Sequence, residues 1–482
     1  MIYHSGRFDS CPFRIVSIME NRNDILRSLP QVEKLLARAD IRSHFVEIGR
    51  LAVIGIVRNE LAGARARAEE GEPFDLERTV GAIISRCASK RLGKLRRVIN
   101  GTGVIIHTNL GRAPLGEDVL ARLADDLSGY CNLEYDLTER KRGKRGGFTE
   151  ELIASLTGAG DALIVNNNAA AVFLILSELA RGKEAIVSRG ELVQIGGGFR
   201  LPDIMRQSGA SLVEAGTTNI TTIDDYRNAV TDETAMVFSC HRSNFSMEGF
   251  TESPSLAELS SLKGEGIIFV RDLGSGNLME DGRLPRPFEP TVRWELAQGP
   301  DLVCFSGDKL LGGSQAGIIV GRSDLVGRLR RNPLMRMMRV DKISYYLLQE
   351  ALIRHVNGEA DDLALWKMML QEKKAIAARV SRFLRLVKAP SSKEDLRRVE
   401  TRCAIGGGAM PGVGLESLGV SMELPGVGAD ELYESFLAAN VPVVGAVHDG
   451  RYIIDFFTIR DRDLPDLAAA FDLVIARFGG GE

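Results

Sequence analysis

Between residues 98 and 345, short and mostly apolar runs alternate with longer segments whose apolar positions recur at intervals of three and four. The runs at 162–165, 184–187, 235–238, 266–270 and 302–305 lack the polar alternation of a half-exposed strand. Each is therefore predicted to be a strand covered on both faces. Strands separated by helical segments predict an α/β fold with a mainly parallel sheet between helices. Upstream, from about residue 24 to 96, the pattern is helical throughout, as at 46–57, with a break at Glu70-Gly71-Glu72-Pro73. Downstream, residues 344–387 are strongly helical, and strands at 418–424 and 451–456 have helices between them, an α+β layer. Three domains are predicted: a helical N-terminal domain over 1–97, a large α/β domain over 98–345, and a linker helix with an α+β domain over 346–482. A chain of 482 residues is too long for one core, which agrees.

Composition narrows the class. A hydrophobic fraction of 44% and a charged fraction of 26% are those of an ordinary globular protein. No apolar stretch is long enough to span a bilayer and the N-terminus lacks a secretion-signal core, so no membrane partner and a cytoplasmic location are expected. The six cysteines, Cys11, Cys87, Cys131, Cys240, Cys304 and Cys403, contain no C-x-x-C pair, and neither they nor the histidines show metal-ligand spacing. A net charge of −3 argues against a general nucleic-acid coat and leaves room for local patches. Two basic runs stand out, 86–97 and 140–145. Each suits phosphate contact or a solvated face, and neither has the aromatic residues that stack on bases.

Three segments carry candidate chemistry. The first sets Lys309 in the glycine-rich turn Ser306-Gly307-Asp308-Lys309-Leu310-Leu311-Gly312-Gly313 between two apolar strand-like segments. An amine at the end of a buried strand is partly desolvated, which favours the neutral nucleophile that condenses with a carbonyl cofactor; pyridoxal phosphate is the cofactor that uses it. Ser306 is placed to reach a phosphate of the same molecule. The second segment ends the 266–270 strand with Asp272, where open α/β sheets hold their ligands, and a carboxylate there suits a pyridine nitrogen; an acid opening the turn Gly274-Ser275-Gly276 fits as well. In the third, the strand at 162–165 runs into Asn166-Asn167-Asn168-Ala169-Ala170 and an alanine-rich helix. Its first N–H groups at Asn168, Ala169 and Ala170 form a phosphate cup, and the same asparagines suit an ordinary N-cap. His241, following the strand at 235–238, is a candidate for the cofactor face and also for a satisfied buried histidine. Cup, ring carboxylate and lysine come in the chain order of aspartate-aminotransferase-type (fold type I) pyridoxal enzymes.

The chain resembles the bacterial selenocysteine synthases, the L-seryl-tRNA(Sec) selenium transferases. The likeness is carried by Leu29-Pro30-Gln31-Val32-Glu33-Lys34-Leu35-Leu36, Arg97-Val98-Ile99-Asn100-Gly101-Thr102-Gly103, the run from His107 through Arg112 to Leu115, and Asn166 to Val172. It continues through Ser188-Arg189-Gly190-Glu191-Leu192-Val193, Gly216-Thr217-Thr218-Asn219, Ser306 to Gly313, and Arg339-Val340-Asp341-Lys342. The resemblance implies a pyridoxal-phosphate enzyme that converts seryl-tRNA(Sec) to selenocysteinyl-tRNA(Sec) with selenophosphate, by β-elimination and selenium addition. It also implies a tRNA-binding role for the N-terminal domain and a homo-oligomer built from dimers.

A dianionic donor needs cations, and arginine's planar fork suits its oxygens. Arg112, together with Arg336 and Arg339 spaced three apart on an expected helix, match arginines given this role in the family. Five positions depart from the family pattern: Gln194 in place of Glu, Ile220 of Arg, Ser314 of Pro, and Ala446 and Phe457 of arginines. Several remove charge from the substrate side, so the alternative reading is a divergent pyridoxal-dependent lyase acting on a small amino acid or amino sugar.

Overall fold

The computed structural model describes residues 28–195, 198–242, 244–264, 266–284, 288–388 and 396–478. Cys11 and residues 24–27 of the expected helical pattern lie outside the described residues. The chain divides into two compact units between Arg97 and Val98.

The first unit is helical. Its two long helices, Arg50–Glu69 and Leu76–Leu92, bury Val53, Val57, Val80, Ile83 and Cys87 together with Leu35 and Ile41 from the shorter helices before them. The break predicted at 70–73 holds Gly71 at φ 93°, and Asp75 caps the second helix by accepting from the Arg78 N–H at 3.0 Å.

The second unit is built on a seven-stranded sheet: β1 (Asp161–Val165), β2 (Glu184–Ser188), β3 (Ser211–Ala215), β4 (Thr234–Cys240), β5 (Ile268–Gly274), β6 (Leu302–Ser306) and β7 (Gly317–Gly321). Their spatial order is β1-β7-β6-β5-β4-β2-β3. All neighbours are parallel except β7, which runs antiparallel to both β6 and β1. The connection from Gly307 to Ala316 is too short for a crossover helix, so β7 must return beside β6. The strand the periodicity missed is β3, an edge strand whose side chains are mostly half-exposed.

Alternation along the strands sends successive side chains to opposite faces. Leu163, Val165, Val270, Leu302 and Cys304 pack under the helix Asn168–Leu179. Ile164, Val303, Phe305 and Ile318 join the larger core that includes Ile153, Leu348 and Leu352 on the other face. The architecture is α/β of the aspartate-aminotransferase type, as expected.

A second, antiparallel sheet is formed by β8 (Leu396–Gly406), β9 (Ala409–Met422), β10 (Ala446–His448) and β11 (Arg451–Asp455), in the order β8-β9-β11-β10. Its helices pack through aromatic contacts, with Phe436 stacked on Tyr452 at 4.6 Å and Phe383 edge-on to Phe471 at 4.9 Å. The start of the unit lies beside this sheet rather than the larger one: Ile99–Asn100 forms a separate two-stranded parallel pair with Val443–Val444, and the Ile105 N–H donates to Ala404 O on β8. The segment 99–106 thus runs from the smaller sheet towards the loop that carries Arg112.

Candidate active site

The turn carrying Lys309 is fixed from several sides. Ala113 N–H donates to Asp308 O, Gly312 N–H to Lys309 O, Trp366 Nε1 to Leu310 O and His355 Nε2 to Leu311 O, while Leu310 N–H donates to Ser275 O. The lysine is buried, 6% exposed. Burial lowers its pKa from the usual amine value, the Arg112 charge works in the same direction, and Asp272, Asp308 and Glu289 oppose. Trp366→Phe removes the donor to Leu310 O and leaves that buried carbonyl unpaired. Chemical denaturation is expected to show a loss of about 1–3 kcal/mol.

Asp272 lies near the carboxyl end of β5, in register with Cys240 on β4 and Cys304 on β6. Asn168 Nδ2 donates to its Oδ1 at 2.9 Å, and the Cys240 thiol approaches Oδ2 at 3.8 Å. Burial raises the Asp272 pKa; the Asn168 bond and the charges of Lys309 and Arg271 hold it down. Both thiols are driven well above their ordinary pKa by burial and stay protonated. A Cβ built on Gly274, at φ 71°, would stand 3.6 Å from Lys309 Nζ and 3.9 Å from Asp272 Oδ1. Amine and carboxylate therefore flank one point that glycine leaves open.

The asparagine segment divides its work. Asn167 is the N-cap, accepting from Ala170 N–H at 2.9 Å, whereas Asn168 turns its amide to Asp272. Ala169 and Ala170 fall in the first turn of the helix. A Cβ on Gly317 would lie 2.1 Å from Asn167 O, so β7 passes directly against this helix start. Ser306 pairs with Gly317 in register and so sits at the same end. Gly317→Ala is expected to give little folded protein, because the contact is with backbone that cannot yield; soluble expression and thermal unfolding check this.

His241 follows β4, and its N–H donates to Asp272 O at 2.8 Å. Its pKa falls to about 3, through burial first and then the charges of Arg271, Lys309 and Arg242, so the imidazole is neutral at pH 7. Arg112 occupies the left-handed region at φ 62° beside Gly111, and its Nη1 donates to both oxygens of Asp308 at 3.1 and 3.2 Å. A non-glycine residue held there is strained, and this pair with Asp308 is what the strain positions.

The helix expected for Arg336 and Arg339 is not formed. Pro333–Arg336 is one 3-10 turn opened by the Asn332 side chain, and Met338 O is drawn out to accept from Asn166 N–H, which leaves Arg339 beyond the turn. Arg339 faces Glu134 at 3.7 Å, and both arginines line a cleft of about 270 Å³ with Lys144, Arg145 and Arg330. The structure groups them with that cleft and not with Lys309. The basic run 140–145 is largely drawn onto acids, Arg142 and Arg145 onto Glu134, Lys141 onto Glu139 and Lys144 onto Glu150. Among the departures, Phe457 is core, Gln194 accepts from Arg200 at 2.7 Å, and the Ser314 hydroxyl donates to Ser344 O at 2.8 Å, a bond proline cannot make.

Sequence reasoning missed Asp308, Glu289 and the two thiols beside Asp272. Asp308 was signalled by its adjacency to Lys309; Glu289, in Phe288-Glu289-Pro290, carried no local signal. Four buried polar atoms lack a hydrogen-bond partner here: Asn168 Oδ1, His241 Nδ1, Ser275 Oγ and Glu289 Oε2. Unpaired buried groups are rare outside sites that bind something. With the open point at Gly274 they fit a planar, polar cofactor.

A family model described as L-seryl-tRNA selenium transferase matches residues 98–460. The L-seryl-tRNA(Sec) selenium transferase of Geobacter sulfurreducens is 42% identical over 456 residues, covering 92% of this chain and 98% of its own. That of Hyphomonas neptunium is 39% identical over 462 residues, covering 94% and 100%. Among solved structures, D-glucosaminate-6-phosphate ammonia-lyase superposes with a TM-score of 0.58 at 18% identity, over 81% of this chain and 98% of that one. At that identity the likeness is one of fold.

Proposed function

Because the chain belongs to the L-seryl-tRNA selenium transferase family, we propose that it converts L-seryl-tRNA(Sec) to L-selenocysteinyl-tRNA(Sec), with selenophosphate as donor and pyridoxal phosphate as cofactor. The observation that carries the cofactor reading is the buried amine of Lys309 facing the buried carboxylate of Asp272 across Gly274.

In this reading Lys309 would hold the cofactor's carbonyl carbon, Asp272 its ring nitrogen, and Ser306 with the Ala169 N–H its phosphate, with His241 beside them; the Ala170 N–H expected in that cup is instead taken by the Asn167 cap. When bound, pyridoxal phosphate supplies a ring that withdraws electrons and acidifies the Cα–H of an attached amino acid. Lys309, made less basic by burial, takes that proton at Nζ. Asn168 keeps Asp272 oriented and, with the nearby cations, ionised in spite of its burial. Arg112, braced by Asp308, holds the oxyanion of the donor next to Lys309. In the net reaction the serine Cβ–O bond and the donor's P–Se bond break, a Cβ–Se bond forms, and phosphate is released.

Arg336 and Arg339 stand outside the Lys309 group of their own chain, and we assign them to donor binding in a homo-oligomer built from dimers, where sites of this fold draw on two subunits. Residues 1–97 are assigned to tRNA binding, residues 98–345 to cofactor binding, and 346–482 to the smaller domain that covers it. No helix among the described residues is long and apolar enough to cross a membrane, which fits the cytoplasmic location we propose.

The test is the purified full chain with seryl-tRNA(Sec), pyridoxal phosphate and selenophosphate. Selenocysteinyl-tRNA is the expected product, and its absence while the cofactor is visibly bound would sink the proposed reaction. Deleting residues 1–97 is expected to keep the absorbance band of bound pyridoxal phosphate and to abolish turnover of seryl-tRNA(Sec). Turnover retained by the truncated chain would show that the helical unit does not carry the tRNA.

A further inference from the structure

Glu289 has no part in the mechanism above, yet it is 5% exposed and points one oxygen at the site. Its Oε1 accepts from Met410 N–H at 2.9 Å. Its Oε2 has no hydrogen-bond partner and lies 3.8 Å from His241 Nδ1, which has none either. Two buried polar atoms that face each other unpaired, inside ion-pair range and just beyond hydrogen-bond range, are a contact waiting to shorten. Burial raises the Glu289 pKa, while the Met410 N–H, the nearby Ser275 hydroxyl and the charges of Lys309 and Arg271 hold it down.

Met410 belongs to the smaller sheet, at the turn between β8 and β9, and takes φ 54°. That turn is wedged against the segment leading to Arg112: a Cβ on Gly406 would lie 2.4 Å from Val104 Cγ1, and one on Gly407 2.3 Å from Ile106 Cγ2. Glu289 is therefore gripped by the smaller sheet on one side and faces the histidine beside Asp272 on the other.

Resting on the reading that pyridoxal phosphate binds at Lys309, we propose that Glu289 is a positioning residue: its Oε2 accepts the Nδ1–H of His241, which fixes the imidazole's orientation and leaves Nε2 as the ring's acceptor. A neutral imidazole carries one N–H, and the partner of one nitrogen decides the state of the other. A carboxylate can accept from both Met410 N–H and Nδ1–H. An amide cannot, because once Met410 N–H takes its single oxygen the NH₂ group is turned towards Nδ1, and the ring proton must move or the ring must turn.

The test is a double-mutant cycle on pyridoxal phosphate affinity, read from the absorbance of the bound cofactor with protein and cofactor alone. Glu289→Gln and His241→Asn are each expected to weaken binding by about tenfold, a typical cost of losing a group that orients a site residue. The double variant is expected to bind no more weakly than either single one. Losses that multiply in the double variant would show Glu289 acting independently of His241 and overturn the proposal, as would full affinity in Glu289→Gln.

Thermal unfolding of each variant separates misfolding from mispositioning. If Glu289→Gln is unstable, Glu289→Asp, which keeps two acceptors, takes its place in the cycle with a smaller expected loss. With seryl-tRNA(Sec), Glu289→Gln is expected to lower kcat with KM unchanged. Wild-type protein that binds the cofactor but makes no selenocysteinyl-tRNA would defeat the proposed reaction and leave the affinity cycle decisive for Glu289. Wild-type protein that binds no cofactor would overturn both.

Discussion

Lys309→Ala is expected to lower selenocysteinyl-tRNA formation by about 10⁴-fold, some 5 kcal/mol in the barrier, while the chain still folds. The size follows from the two roles that the proposed reaction rests on one atom: Nζ would hold the cofactor and also take the Cα proton. Folding is expected to survive because the turn is held by its backbone, through Ala113, Trp366, His355 and Gly312, and not by the lysine side chain. Burying this amine lowers its pKa, so ordering it in the folded state is itself a cost that alanine removes.

The linkage has a definite sign. Below its ordinary pKa the unfolded chain keeps Lys309 protonated while the folded chain tends to lose that proton. Its burial therefore weakens stability at low pH, and the penalty fades as pH rises from the lowered pKa towards the ordinary one. Thermal unfolding across pH should show the alanine variant gaining most over wild type on the acid side. Added methylamine should restore a fraction of the lost turnover by supplying the missing base. A variant retaining more than a few per cent of wild-type activity without added amine would remove Lys309 from the chemistry.

The second large effect is expected at Asp272. Asp272→Asn keeps an acceptor for Asn168 Nδ2 and nearly the same volume, so the fold should hold, yet it removes the negative charge from the site. A loss of about 10²- to 10³-fold in kcat is expected, the range found when one preorganised electrostatic group is taken from an active site. The absorbance of bound pyridoxal phosphate should shift as well, since its ring nitrogen would lose the partner that keeps it protonated. Activity within threefold of wild type, with an unshifted band, would move the ring nitrogen's partner elsewhere. Cys240→Ala is a milder companion: it removes one thiol from Asp272 Oδ2 and should change the band without abolishing turnover.

Both effects depend on residues that announce themselves locally. A lysine in a glycine turn between apolar segments and an acid closing an apolar strand are patterns a few residues long, and the strand–helix alternation around them is read the same way. Five strands, the lysine turn with the apolar segment that follows it and the helical N-terminal unit were legible because strands covered on both faces leave continuous apolar runs and helices leave a period of 3.6. The edge strand β3 was not, because half-exposed strands relax that constraint. The expected helix at Arg336 and Arg339 failed for a related reason: spacing of three is compatible with a helix but does not require one, and the bond from Asn166 N–H to Met338 O, between residues far apart in sequence, ended the turn first.

What the sequence by itself determined is the order of elements, the chemistry available at Lys309 and Asp272, and, through its long matches, the family. What only the tertiary structure decided is which side chains answer one another: Asn168 to Asp272 across 104 positions, Arg112 to Asp308 across 196, and Glu289 between His241 and Met410. The reason is that local pattern records burial and period, which contiguous residues share, whereas hydrogen-bond partnership depends on where strand ends, loops and the second sheet meet in space. No short stretch of chain carries that information.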